Sequence, residues 1–343
     1  MGNVNDSWQK AREKVDEFET KVIKPVFPNA RFESSFMVGS PEQAPNSFDP
    51  KLSPGELLKN TDYEYDGDGK YIHYTTLFGL KLILESGFLR MSEFGNLIDE
   101  KELIYAASVF EDNPLFNFDH EKLKRLKENL FCLSLCQSNE TTKRNHLMWE
   151  VYGDKGKGVI IELELNKQDP YFFLLGKMQY GEEALEPIKK LKSLAEEFSN
   201  THGGFFPNKF QEFILEMQSF HKVKIFEAEQ EIRLLMKEDK EEYESHNHRT
   251  IYRDINSKQE VKYFNKLYLK ERYPFEDSIV TDEKIDVLDS YPQIEIKNII
   301  LGYNISIENK VDLLFFLDDL KTQHKYNFKI SQMNDEGEIF EMR

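Results

Sequence analysis

The stretch 71–92 reads YIHYTTLFGLKLILESGFLRMS and sets a strand, a helix and a second strand in immediate succession. YIHYTT is rich in β-branched and aromatic residues and reads as a strand. Thr75 or Thr76 offers a side-chain oxygen to cap a helix over LFGLKLILES, where Leu77, Leu80 and Leu84 share one face. Gly87 supplies the left-handed residue that closes a helix, and FLRMS returns to the extended pattern.

Outward from this core, further strands are expected at NLFCLSLC (129–136), GVIIELEL (158–165), FFLLGKMQY (172–180), KIFEAEQEIRLLM (224–236), KYFNKLYLKERY (262–273), EIKNIILGYN (295–304) and, last, NFKISQM (327–333). Helices are expected at 99–112, 119–129, 182–199 and 207–221, over NHLMWEVY (145–152) up to Gly153, and over NKVDLLFFLDDLKTQ (309–323). Strands and helices mix without regular βαβ alternation, so the fold class is α+β. Residues 1–70 read as an N-terminal helix, capped by Ser7 and ending before Pro25, followed by an irregular linker from Pro28 to Gly69. Residues 71–343 read as one domain with a helical insertion at about 182–221.

The 343 residues carry a formal charge of −17 and are 39% hydrophobic, enough to build a core and to exclude wholesale disorder. An overall grip on nucleic acid is disfavoured, because that affinity is electrostatic. Residues 249–273 run against the trend, with basic residues in excess, and are the best candidate for a polyanion contact; a solvated face is the commoner cause of such a run. No stretch has the length of a membrane span, and MGNVNDSW lacks the layout of a secretion signal, so a soluble cytoplasmic protein without membrane contact is expected. Cys132 and Cys136 lie too far apart along one strand for a disulfide and read as buried thiols. His246 and His248 lack the further ligands of a metal site, so no metal is expected. No phosphate-binding glycine loop or GxSxG elbow is present.

Three groups of residues carry potential chemistry. Glu229, Glu231 and Arg233 alternate along the expected strand 224–236, which puts two carboxylates and a guanidinium on one face. The alternative is a solvated salt-bridge ladder on an exposed face. His73, Tyr74 and Thr75 stand at a strand end before a helix N-terminus, where backbone N–H groups attract an anion such as a phosphate; a satisfied histidine and a simple cap are the bland counterpart. Ser134 projects from its strand opposite Leu133 and Leu135, and Trp149 and Tyr152 fall three apart on a short helix, where they would form a stacking wall for a planar ligand or simply pack into a core.

The ordered set YIHYTTLFGLKLILESGFLRMS, FCLSLC, MWEVYGDKGKGVIIEL, FEAEQEIRLL and IKNIILG, with the closing helix and strand, resembles the bacterial family catalogued as domain of unknown function 2971, over about 71–334. This chain has Phe226 where that family usually has Trp. The family in turn is similar to the ADP-ribosyltransferase superfamily. The resemblance implies an ADP-ribosyltransferase-like core of mixed or antiparallel sheet with peripheral and inserted helices, and NAD as substrate. It implies His73 as the residue of the first motif, Ser134 of the middle motif, Glu231 as the catalytic carboxylate with Glu229 as its partner, and Tyr152 or Trp149 against the nicotinamide. Arg233 would orient the Glu pair or meet the pyrophosphate. The implied activity is transfer of ADP-ribose to a protein or nucleic-acid acceptor, in keeping with a toxin or phage-defence effector. The alternatives are an NAD glycohydrolase, a non-catalytic nucleotide or nucleic-acid binding module and, in a further class, a metal-dependent nuclease.

Overall fold

A computed structural model describes residues 4–34, 50–52, 56–96, 105–106, 109, 120–166, 173–207, 210–237, 251–255, 261–272, 291–324 and 326–342. In chain order the elements are α1 (Val4–Phe18), β1 (Phe32–Ser34), β2 (Pro50–Leu52), β3 (Lys70–Thr75), α2 (Leu77–Ser86), β4 (Phe88–Glu93), α3 (His120–Asn129), β5 (Leu130–Gln137), α4 (Glu140–Lys143) and α5 (His146–Val151). There follow β6 (Val159–Asn166), β7 (Phe173–Lys177), β8 (Gln179–Tyr180), α6 (Glu186–Thr201), α7 (Phe210–Gln218), β9 (His221–Lys222) and β10 (Glu231–Lys237). The remainder is β11 (Ile251–Ile255), β12 (Val261–Tyr268), β13 (Gln293–Leu301), α8 (Ile307–His324), β14 (Lys329–Met333) and β15 (Ile339–Glu341). The class is α+β with a large mixed sheet. No described helix is long and apolar enough to cross a membrane.

The chain divides into two compact units, one of Met1–Tyr65, Leu97–Leu130 and Pro170–Glu227, the other of Asp66–Asn96, Phe131–Asp169 and Ala228–Arg343. The segment 1–65 is thus grouped with the helices of 182–221. In this first unit α1 runs on as a π-helical turn, Glu19–Ile23, and stops before Pro25. Ser7 lies inside α1, since the helix begins at Val4, and is not its cap. Phe18 is buried and packs edge-on against Phe198 of α6 and Phe210 of α7, with centroids 5.2 and 4.9 Å away. Glu182–Leu185 is a 3-10 turn leading into α6. His221 is fully buried, with Nε2 3.2 Å from the Tyr63 hydroxyl and Nδ1 3.1 Å from the Met217 carbonyl, and burial lowers its pKa to about 4.

The second unit is built on strands in the order β11-β12-β4-β5-β3-β6-β13-β14-β15, with β10 also pairing β5. β3 and β4 both lie antiparallel to β5, so the strand–helix–strand of 71–92 returns parallel with one strand between. β13 and β14 are parallel neighbours, which requires a crossover; α8 provides it. β15 follows the strand expected to be last and pairs antiparallel with β14. Ile72, Tyr74, Cys136, Met148, Trp149, Ile160, Ile300 and Met333 form one core cluster beneath this sheet segment. Thr76 caps α2 by accepting from Gly79 N, and Gly87 closes it at φ 75°. A Cβ on Gly158 would lie closer than 3.0 Å to the Thr75 carbonyl, so only glycine lets the 153–158 loop pass the end of β3. The expected helix at 99–112 falls largely outside the described residues, as do His246 and His248.

Candidate functional site

The site is built within the second unit on β3, β5 and β10. Glu231 opens β10 and is 4% exposed; Arg233, two residues on along the same face, is fully buried. The Arg233 guanidinium donates from Nε to Glu231 Oε1 at 2.9 Å, with Nη2 2.8 Å from the same oxygen. Its other face covers the Phe94 ring, with the guanidinium carbon 5.2 Å from the centroid. From β5, the exposed Ser134 donates its hydroxyl to Glu231 Oε1 at 2.6 Å. Two hydrogen bonds, from Arg233 Nε and the Ser134 hydroxyl, together with the Nη2 ion-pair contact, hold this buried oxygen in place. The pair is enclosed, so it is no solvated ladder on an exposed face.

His73 joins from β3, where it stands in register with Ile161 of β6. Its Nδ1 lies 3.3 Å from the Ser134 carbonyl. A carbonyl only accepts, so Nδ1 carries the proton and, in the neutral ring, Nε2 is left as an acceptor. Enclosure lowers the imidazole pKa from its ordinary value, opposed by that hydrogen bond, so the ring is neutral at pH 7. His73, Ser134 and Glu231 are therefore brought together from three strands, across 61 and 97 residues of sequence.

Glu229 is placed differently from expectation. The expected strand at 224–236 begins only at Glu231; Lys224–Glu229 is a 3-10 helix. Gln230 breaks the run with φ +45°, a conformation costing a non-glycine residue roughly 1–3 kcal/mol. Glu229 therefore does not share a strand face with Glu231 by alternation. It is buried, and its Oε1 accepts from the Tyr152 hydroxyl at 2.8 Å. Asn145 Nδ2 donates to the Ala228 carbonyl at 2.6 Å, and Cys136 Sγ donates to the Glu229 carbonyl at 3.3 Å. Neither Asn145 nor Cys136 stood out in sequence as a site residue; the only visible sign was an asparagine ahead of a helix.

Other expected ligand contacts are used up internally. Tyr74 is buried, donates its hydroxyl to the Thr142 carbonyl, and packs edge-on to Trp149 at 5.3 Å, so its ring offers no open face. Trp149 is 1% exposed, donates Nε1 to the Lys143 carbonyl at 2.8 Å, and lies in the core with Tyr303. The stacking wall of Trp149 and Tyr152 is therefore not formed; Tyr152, 40% exposed, is the one aromatic of that helix open to a ligand. Thr75 ends β3 in register with Val159 and presses its hydroxyl against Gly79, while Thr76 does the capping. Arg233 faces Glu231 and Phe94 in full burial, which removes it as a pyrophosphate contact. Cys132 and Cys136 are buried thiols not joined in a disulfide.

In the basic stretch 249–273, Lys266 Nζ lies 4.8 Å from the Phe88 centroid and Lys270 pairs with Glu295 at 3.0 Å, so two of its cations have partners within the unit. Among the described residues no group of three or more His, Cys, Asp or Glu is placed to hold a metal ion.

The second unit thus presents a mixed-sheet α+β scaffold with a buried Arg–Glu pair, a serine on the carboxylate and a neutral histidine behind the serine. No family model matches the chain, and no curated protein or solved structure matches it either.

Proposed function

We propose that the chain is an NAD-consuming ADP-ribosyltransferase whose carboxylate is Glu231. The observation that carries this reading is the 2.6 Å hydrogen bond from Ser134 to Glu231, with His73 on the Ser134 carbonyl. The three residues that the resemblance names as motif residues meet, although nothing in their spacing requires it.

Glu231 sets a fixed negative charge beside the ribose, where positive charge grows as the nicotinamide–ribose bond breaks. The bonding pair leaves with nicotinamide, which departs neutral and needs no strong acid. Arg233 and Ser134 hold the carboxylate before the substrate arrives, so no reorganisation accompanies the step. His73 Nε2 accepts a ribose hydroxyl, and the exposed Tyr152 ring offers nicotinamide a face. The acceptor forms the new bond at the ribose carbon and gives its proton to Glu229, from which it must displace the Tyr152 hydroxyl. No residue of the site calls for a metal in this scheme.

The test is incubation of the protein with labelled NAD and cell extract. Transfer predicts free nicotinamide together with ADP-ribose bound to protein or nucleic acid, both lost in Glu231→Gln. ADP-ribose found only free favours the glycohydrolase. If neither the wild type nor the variant releases nicotinamide across extracts and nucleic acids, the catalytic reading is refuted and a binding module takes its place.

A further inference from the structure

We propose that α5 clamps the turn Ala228–Glu231, with Asn145 as a positioning residue that sets where the Glu231 carboxylate stands; this rests on the reading of Glu231 as the catalytic carboxylate. Asn145 does two separate jobs with its two side-chain atoms. Oδ1 caps α5 by accepting from Leu147 N and Met148 N, at 3.1 and 3.4 Å. Nδ2 donates to the Ala228 carbonyl at 2.6 Å. Capping needs only the acceptor, and aspartate or serine would serve it as well. The donor is surplus to the helix and is spent on a turn 83 residues away.

That turn needs holding from outside. It joins a 3-10 helix to a strand through Gln230 at φ +45°, and the carbonyls of Ala228 and Glu229 take side-chain donors, Asn145 and Cys136. At the far end of α5, Tyr152 bonds the Glu229 carboxylate. One short helix therefore grips both the backbone entering the turn and the side chain within it. Glu231 ends this turn, two residues beyond Glu229, and Arg233 and Ser134 bond it there.

The test compares wild type, Asn145→Asp and Asn145→Ser. Aspartate keeps the cap but turns an acceptor towards the Ala228 carbonyl; serine keeps a cap without that repulsion. Amide hydrogen exchange at Gln230 and Glu231 is expected to rise about fivefold in both, the loss of one hydrogen bond worth about 1 kcal/mol. Turnover in nicotinamide release is expected to fall about 100-fold with KM for NAD nearly unchanged, as for a displaced catalytic group. Unchanged exchange at 230 and 231 overturns the clamp, as does a rise in KM without a fall in turnover. If the wild type releases no nicotinamide, it is the catalytic reading that fails, and hydrogen exchange alone decides the clamp.

Discussion

Removing both members of the Glu231–Arg233 pair should be no more damaging than removing one. At 2.8 Å, two unit charges attract by about 6 kcal/mol at an effective dielectric of 20. Each ion has given up its hydration, at several kcal/mol, because their side chains are 3% and 0% exposed. The two large terms nearly cancel while both partners are present. Glu231→Gln leaves a buried guanidinium opposite a neutral amide, and Arg233→Met leaves a buried carboxylate without its guanidinium, still bonded by Ser134. Each should lose about 3–5 kcal/mol. The double variant should lose no more than the worse single, a coupling of about 3 kcal/mol. The assay is urea unfolding followed by Trp149 fluorescence in a Trp8→Phe background, since the chain has two tryptophans and Trp149 lies in the core of the same unit. Single losses below about 1 kcal/mol, or a double loss equal to the sum of the singles, would refute the buried-pair reasoning. The same numbers bear on Glu231→Gln as an activity control: it must be shown to be folded at the assay temperature.

Ser134→Ala removes one donor to a charged acceptor at an exposed position; nicotinamide release should drop about tenfold or more with stability changed by about 1 kcal/mol, and full activity would remove the serine from the site. His221 is held neutral with its pKa near 4, so above pH 6.5 it costs nothing, while from about 6.5 down to about 4 the unfolded chain alone takes up the proton; roughly 3 kcal/mol is lost over that window. Hydrogen exchange of α6 and α7 amides between pH 7 and 4.5 measures it, and a slope that persists in His221→Gln assigns the loss elsewhere. His73 is likewise held below its ordinary pKa, so nicotinamide release should be flat from pH 7 upward and decline only below the usual histidine range; a decline centred at or above pH 7 contradicts its placement. Gly158→Ala drives a Cβ into the Thr75 carbonyl and should destabilise the second unit by about 3 kcal/mol, read by the same Trp149 fluorescence.

The elements with strong periodicity were legible from sequence. β3, α2, β5, β6, β13 and α8 stand where the patterns put them, because each has an apolar face whose spacing is set by its own geometry. The run 224–230 was misleading for a physical reason. From Phe226 to Glu229 apolar and charged residues alternate as they would in a half-exposed strand, yet the backbone is a 3-10 helix that turns at Gln230. Whether Glu231 and Arg233 are solvated or buried was equally illegible, because the partners that offset their desolvation include Ser134, 97 residues earlier. Trp149 and Tyr74 sit next to site residues in sequence but are drawn into the core by partners such as Tyr303 and Thr142. The double use of Asn145 shows the same limit: its cap is local, its second bond is not.

The wide spacing of the site along the chain has a kinetic consequence. His73 and Ser134 are synthesised well before Glu231, and β6, which flanks β3, gains its other neighbour only with β13. At about 5–20 residues per second, the ribosome takes several seconds or more to pass from Ser134 to Glu231. Contacts of such long range slow folding. Glu231 is therefore the last of the three to be made, and a chain truncated before β10 carries the histidine and the serine without the proposed carboxylate.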